Sequence, residues 1–288
     1  MNGHAQAETQ PVDRSPFTPP IALTIAGFDP SSGAGVTADL KVFAAHNIYG
    51  MACITALTVQ STVGVRRVEP VAAVTIREIL ACLREDVAPA GVKIGMLATA
   101  EVVGEVGRFL CEAGIDRRLT ILDPIIRSSS GSELLSISGV DRLRTDLLPV
   151  VGWITPNLDE LALLIESGPV RREDIPGAAA KLQELARQSG NPELHVVVTG
   201  GHLDRPDDFL RTPTGEEVRF SAEGVETNST HGTGCAFSSA LLCHLLRGAG
   251  PEKAVAAAKR YVTEALTAAY PVGRGKGPMH HLYQADRR

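Results

Sequence analysis

The chain has 288 residues, a formal net charge of -5, 44 % apolar residues, 28 glycines and 18 prolines. Glycine and proline fall short of the roughly 25–30 % that marks a low-complexity chain. The mild acidity leaves no basic footprint for nucleic acid, and no apolar run approaches the roughly 18 residues of a membrane helix.

Residues 1–20 are polar and proline-rich, without the basic start and apolar centre of a secretory signal, and read as a disordered leader. Ordered structure is expected from Ile21. Ile21–Ala26 reads as a buried strand, Gly33–His46 as a loop entering a helix, Met51–Gln60 as a strand, Thr75–Asp86 as a helix and Val92–Ile94 as a strand. Helix Thr99–Ala113, strand Leu119–Leu122, helix Val140–Leu147, strand Trp153–Thr155 and helix Leu158–Ile165 follow. Next come helix Ile175–Ser189, strand His195–Val198 and an antiparallel pair near Phe209–Arg211 and Val218–Phe220. Helices Gly234–Arg247 and Glu252–Ala269 close the chain. Strands alternating with helices predict one α/β domain over 21–288, with a mostly parallel sheet covered on both faces. Functional residues then belong at the carboxyl ends of the strands.

Several motifs sit there. Gly27-Phe28-Asp29-Pro30-Ser31-Ser32-Gly33-Ala34-Gly35 is a glycine-rich strand–helix turn, with Asp39 one helical turn on and expected to face the same pocket. It matches neither GxxxxGK[ST] nor GxGxxG. Gln60 ends the second strand, where an amide can both donate to and accept from a planar heterocycle. Met96 suits the wall of a ring-binding slot as readily as the core. Asp123 and Glu160 follow adjacent strands and suit a Mg2+ ion held through water; Asn157 and Glu160 also fit a helix capping box. His231-Gly232-Thr233-Gly234-Cys235 opens a long apolar helix, where converging N–H groups attract an anion. In that first turn Cys235 is expected to have a lowered thiol pKa. The other four cysteines read as packing, and five widely spaced cysteines without a CxxC pair point to a reducing cytoplasm.

AGFDPSSGAG-x-x-ADLK, ITALTVQST, KIGML, DP, TPN-x-x-E, GGH and THGTGC, in that order from about Ile21 to His281, resemble the hydroxymethylpyrimidine/phosphomethylpyrimidine kinases of the ribokinase-like superfamily. The resemblance implies a three-layer αβα sandwich and ATP- and Mg2+-dependent phosphorylation of 4-amino-5-hydroxymethyl-2-methylpyrimidine and its monophosphate, for thiamine synthesis. It implies that Gln60, Asp39, Gly27 and Met96 bind substrate and that Glu160, with Asp123, serves the metal. Gly232, Thr233 and Gly234 would form the anion hole, with Cys235 as the base. Asn157, Thr199, Gly201, His231 and Arg127 are placed with the nucleotide, and a homodimer is implied.

The chain departs from the pattern at Thr199 and Ser129, where the family usually has lysines, and at Phe28, Thr37 and Ser61. Arg127 is the expected substitute for the missing charge, and Thr199 can still donate a hydroxyl hydrogen bond. The same residues also suit two other functions. A pyridoxal kinase would also act on a hydroxymethyl group of a planar N-heterocycle, and a non-catalytic pyrimidine-binding protein could keep the fold.

Overall fold

The structure is a computed structural model that describes residues 18–128, 131–200 and 206–287. The expected leader therefore lies outside the described residues up to position 17; the backbone C=O of Pro20 accepts the N–H of Tyr49.

Strands β1 (Ile21–Phe28), β2 (Tyr49–Ser61), β3 (Gly64–Pro70), β4 (Gly91–Ile94), β5 (Thr120–Leu122), β6 (Trp153–Ile154), β7 (His195–Val198), β8 (Asp208–Arg211) and β9 (Glu217–Phe220) form one sheet. Its order is β3-β2-β1-β4-β5-β6-β7-β8-β9. The six strands from β2 to β7 in that order run parallel, and β3, β8 and β9 are antiparallel additions at the two edges. Helices α1 (Gly35–Ala45), α2 (Ala73–Asp86), α3 (Ala100–Ala113), α4 (Ile137–Arg142), α5 (Leu158–Leu164), α6 (Ile175–Gln188), α7 (Thr233–Leu246) and α8 (Pro251–Thr267) cover both faces.

The period of two along each strand sorts its side chains between two cores. Leu23, Ile25, Leu122, Ile154, Val196 and Val198 pack toward α2, α3, α4, α5 and α6. Ala22, Ile121, Trp153 and Val197 point the other way, onto α1, α7 and α8. Burial on both faces explains why the parallel strands read as unbroken apolar runs. The result is the expected αβα sandwich.

Two elements differ from the sequence reading. β3 was not foreseen, because Val65-Arg66-Arg67-Val68 carries too little apolar alternation to read as a strand. It forms because it needs only one neighbour, β2, and leaves Arg66 and Arg67 exposed. The helix expected over Val140–Leu147 starts earlier and splits, with α4 passing into a π-helical turn over Leu143–Leu147. Leu143 and Leu147 are both buried there.

The chain steps from β1 outward to β2 and then back across β1 to β4. That reversal opens a crevice beyond the carboxyl ends of β1 and β4, where ligands bind in open α/β sheets.

Candidate active site

A cavity of about 730 Å3 runs along these strand ends. Gly27, Gln60, Met96, Asp123, Asn157 and Thr199, each at or just beyond the carboxyl end of a different parallel strand, all line it. The site-bearing positions expected from the strand ends thus converge on one cavity.

At one end, the β2–β3 hairpin supplies the wall. Thr58 and Gln60 face the cavity together with Val65, the register partner of Gln60. Met96 is held there by its backbone, whose C=O accepts the Thr55 hydroxyl at 2.5 Å. The loop after β1 is shaped by Asp29, whose carboxylate accepts the N–H groups of Ser31, Gly33 and Ala34 and the Ser31 hydroxyl. His231 completes this shell, with Nε2 2.8 Å from Asp29 Oδ2 and 3.1 Å from Gln60 Nε2. Burial works against the Asp29 charge, yet the bonds from His231 and Ser31 outweigh it and hold the carboxyl at about 2. His231 therefore stands beside the residue expected to hold the heterocycle, on the wall of the same cavity as Asn157, Thr199 and Arg127.

The glycine loop meets the first loop backbone to backbone. Gly232 adopts a φ of +82°, and a Cβ there would lie 1.9 Å from the Gly33 carbonyl oxygen. Only glycine permits both the left-handed turn and that approach. Gly232 ends the loop as the N-cap of α7, so Thr233, Gly234 and Cys235 form the first helical turn. Their N–H groups are orphans of the helix start, open to an anion in the cavity.

The Cys235 thiol is buried beneath this turn. Burial pushes it up to about 12, and the nearby Lys93 ammonium only partly offsets that. The expected lowering by the helix start is overturned, because desolvation of the thiolate exceeds the pull of the helix dipole.

Asp39 is likewise corrected: it is fully buried and does not reach the cavity. Both of its oxygens lie 3.0 Å from Lys93 Nζ, and it also accepts Thr24 Oγ1 at 2.5 Å and Ser239 Oγ at 2.8 Å. Lys93 stands 3.9 Å from Asp123 on its other side. Burial disfavours its charge, but Asp39 overcomes this and holds the ammonium above the ordinary lysine range. Sequence reading passed over Lys93, and its place inside an otherwise apolar strand was the available clue.

In the middle of the cavity, Asp123 and Glu160 form an acidic pair. Burial raises Asp123 to about 6 against the pull of Lys93. Burial and then the Asp123 charge raise Glu160 to about 8. Glu160 also forms the foreseen capping box, taking the Asn157 N–H at 2.9 Å while Asn157 Oδ1 takes the Glu160 N–H at 2.9 Å. Two buried carboxylates that repel each other offer a place for a divalent cation. Among the described residues no group of three acidic, histidine or cysteine side chains could hold one alone. The donor set fits Mg2+, which keeps waters and takes substrate phosphates as ligands.

The far end is bounded by Val262 and Leu266 of α8 and by the segment from Ala222 to Val225. Arg127 and Thr199 line the cavity, Arg127 from an exposed position. Gly201 and Ser129 lie outside the described residues. Two lining cations were not foreseen, Lys259 and Lys276. Lys259 is committed to Asp208 at 3.0 Å, which in turn accepts the Gly200 N–H.

The Phosphomethylpyrimidine kinase family model matches residues 29–280. The hydroxymethylpyrimidine/phosphomethylpyrimidine kinase of Escherichia coli (strain K12) is 41 % identical over 271 residues, covering 91 % of this chain and 97 % of that protein. Among solved structures, the ADP complex of Bacillus subtilis pyridoxal kinase superposes with a TM-score of 0.81 at 31 % identity, covering 92 % of this chain and 98 % of the other. The phosphomethylpyrimidine kinase of Clostridium difficile 630 gives a TM-score of 0.72 at 33 % identity, covering 86 % and 99 %.

Proposed function

The chain belongs to the phosphomethylpyrimidine kinase family, and from that premise we propose that it is a two-step pyrimidine kinase. It transfers the γ-phosphoryl group of ATP to the hydroxymethyl oxygen of 4-amino-5-hydroxymethyl-2-methylpyrimidine. It then transfers another to the resulting monophosphate, giving the pyrophosphate used in thiamine synthesis. The observation that carries this reading is the single cavity shared by Gln60, the glycine loop with Cys235, and the Asp123–Glu160 pair.

Phosphoryl transfer asks mainly for positioning and for neutralised oxygen charge. Gln60 holds the heterocycle edge-on, with Gly27 and Met96 as walls. The hydroxymethyl oxygen then faces Cys235 and the first turn of α7. The N–H groups of that turn gather the charge that builds on the transferred phosphoryl oxygens, and they need no reorganisation to do so. Because burial keeps the Cys235 thiol protonated, it orients the acceptor hydroxyl rather than waiting as a thiolate. In a loose transition state the alcohol needs little prior activation, and its proton passes late in the transfer to an oxygen of the arriving phosphoryl group. Asp123 and Glu160 would hold Mg2+, which when bound neutralises phosphate oxygens. Thr199, at one position where the family pattern has lysine, and Arg127, two residues before the other, would serve the nucleotide phosphates from the cavity wall, and Asn157 orients Glu160.

The same site makes pyridoxal kinase the second reading, favoured by the close superposition on the Bacillus subtilis enzyme. ADP release with hydroxymethylpyrimidine, its monophosphate and pyridoxal, each with ATP and Mg2+, separates the readings. Turnover of both pyrimidines supports the first. Turnover of pyridoxal alone replaces it with the second, and binding without ADP release rejects both.

We place the protein in a reducing compartment, the cytoplasm, in keeping with five free cysteines. No helix among the described residues is long and apolar enough to cross a membrane. Residues 21–288 serve as one catalytic domain built on the continuous sheet. A homodimer through the outer face of the β2–β3 hairpin would cover the exposed Leu57, Val59 and Val63.

A further inference from the structure

The hydrogen-bonding capacity of its neighbours decides which way the Gln60 amide faces. His231 Nε2 lies 2.8 Å from Asp29 Oδ2. That carboxylate already accepts four donors from Ser31, Gly33 and Ala34, and as an ionised group it can only accept. The hydrogen therefore sits on His231 Nε2, whether the ring is neutral or charged. A protonated ring nitrogen has no lone pair left for Gln60, 3.1 Å away.

The opposite side gives an independent answer. Thr58 Oγ1 donates to the Phe28 carbonyl oxygen at 3.0 Å. A hydroxyl has one hydrogen, so toward Gln60 Oε1, 3.2 Å away, Thr58 presents only lone pairs. With the amide nitrogen toward His231 and the oxygen toward Thr58, donor faces donor at one end and acceptor faces acceptor at the other. The two ends of an amide are nearly alike in shape. A half-turn about the last side-chain bond repairs both contacts without moving anything else.

We propose that Gln60 works with its carbonyl toward His231 and its amino group toward Thr58, and that these two neighbours are positioning residues giving the heterocycle site a single polarity. The proposal rests on the assignment of Gln60 to the substrate. Its outer edge then offers an acceptor on the glycine-loop side and a donor on the Phe28 side. The matching ligand carries an amino group next to an acceptor ring nitrogen, with the amino group toward the glycine loop. In the proposed pyrimidine the hydroxymethyl group is attached beside the amino group, so the same pose directs it to Cys235. A 4-oxo analogue, with a carbonyl and an adjacent ring N–H, presents the reverse polarity and leaves buried groups unpaired.

The test measures calorimetric affinities of 4-amino-5-hydroxymethyl-2-methylpyrimidine and its 4-oxo analogue for the wild-type chain, Thr58→Val and His231→Phe. The wild type is expected to prefer the amino compound by about tenfold or more, a margin set by mispaired hydrogen bonds. Each substitution removes one partner while keeping shape, frees the amide to turn and brings the ratio to within about threefold. A merely structural role weakens both ligands alike and leaves the ratio unmoved. An unmoved ratio in the folded variants, or a wild type indifferent to the exchange, overturns the proposal. Thr58→Val serves if His231→Phe fails to fold. A wild type that binds neither pyrimidine but phosphorylates pyridoxal overturns the pyrimidine reading itself, and this proposal with it.

Discussion

Lys93 Nζ lies 3.0 Å from each carboxylate oxygen of Asp39, and solvent reaches neither side chain. Removing one member of such a pair strands a buried charge at a cost of about 3–5 kcal/mol, whereas removing both often costs little. Lys93→Met is expected to lower unfolding stability by that amount in urea titrations. Lys93→Met combined with Asp39→Asn should recover most of the loss. Equal destabilisation of the single and double variants would show that the pair is not coupled.

Gly232 and Gly234 are two residues apart but should respond differently to alanine. A Cβ at Gly232 meets the Gly33 carbonyl oxygen at 1.9 Å on a backbone with φ of +82°. At Gly234 the nearest atom is Asp123 Oδ2 at 3.9 Å. Gly232→Ala should cost about 3 kcal/mol or more and part the two loops, because strain and clash add. Gly234→Ala should fold with nearly wild-type stability and lose turnover, as its methyl group enters the anion site. Melting curves and ADP release on both variants check this.

The thiols should react in an order set by exposure and charge. Cys82 and Cys111 are exposed, whereas burial pushes Cys235 up to about 12. Iodoacetamide at pH 8 should label Cys82 and Cys111 first and leave Cys235 intact in the folded protein, as peptide mass spectrometry will show. Cys235→Ala should fold and lose about 10²-fold or more in turnover, the scale of a misplaced acceptor. Early labelling of Cys235 would restore the thiolate base.

Stability without metal should fall as pH rises through neutrality. Burial, then Asp123, raises Glu160 from its ordinary 4.5 to about 8 in the folded state. Between those values the folded chain holds a proton that the unfolded chain has released. Its contribution is complete below about 4.5 and is lost as pH approaches 8. Asp123 adds the same sign between 3.8 and about 6. Glu160→Gln should flatten the decline of Tm from pH 5 to 8, and Mg2+ affinity of the wild type should rise across the same interval as the proton stops competing. A Tm that climbs through this range would contradict the burial of the pair.

Much of the sandwich could be read from sequence because buried parallel strands are apolar on both faces, leaving a run such as Ile21–Ala26 little other reading. β3 escaped because an edge strand needs no such run. Strand ends located Gln60, Asp123 and Thr199 on the cavity wall, since that placement follows from topology alone. Asp39 and Cys235 were misread because their behaviour depends on depth. One helical turn of sequence spacing does not say whether a carboxylate reaches the cavity or an ammonium behind it. A helix start likewise does not reveal how far burial raises a thiol. His231 needed the fold, because its partners lie 202 and 171 residues away.

Those separations bear on how the protein is made. The loop from Asp29 to Gly35 leaves the ribosome early, but its shape depends on His231 and Gly232, and the loop around His231 is in turn hydrogen-bonded to Gly277. At about 5–20 residues per second, the earlier strands wait many seconds for the segment that completes the cavity. A chain that ends before this segment has the residues of the core under α2 to α6, but still lacks α7 and α8 on the other face and the loop that completes the cavity. The cavity is thus complete only once the last fifth of the chain is in place.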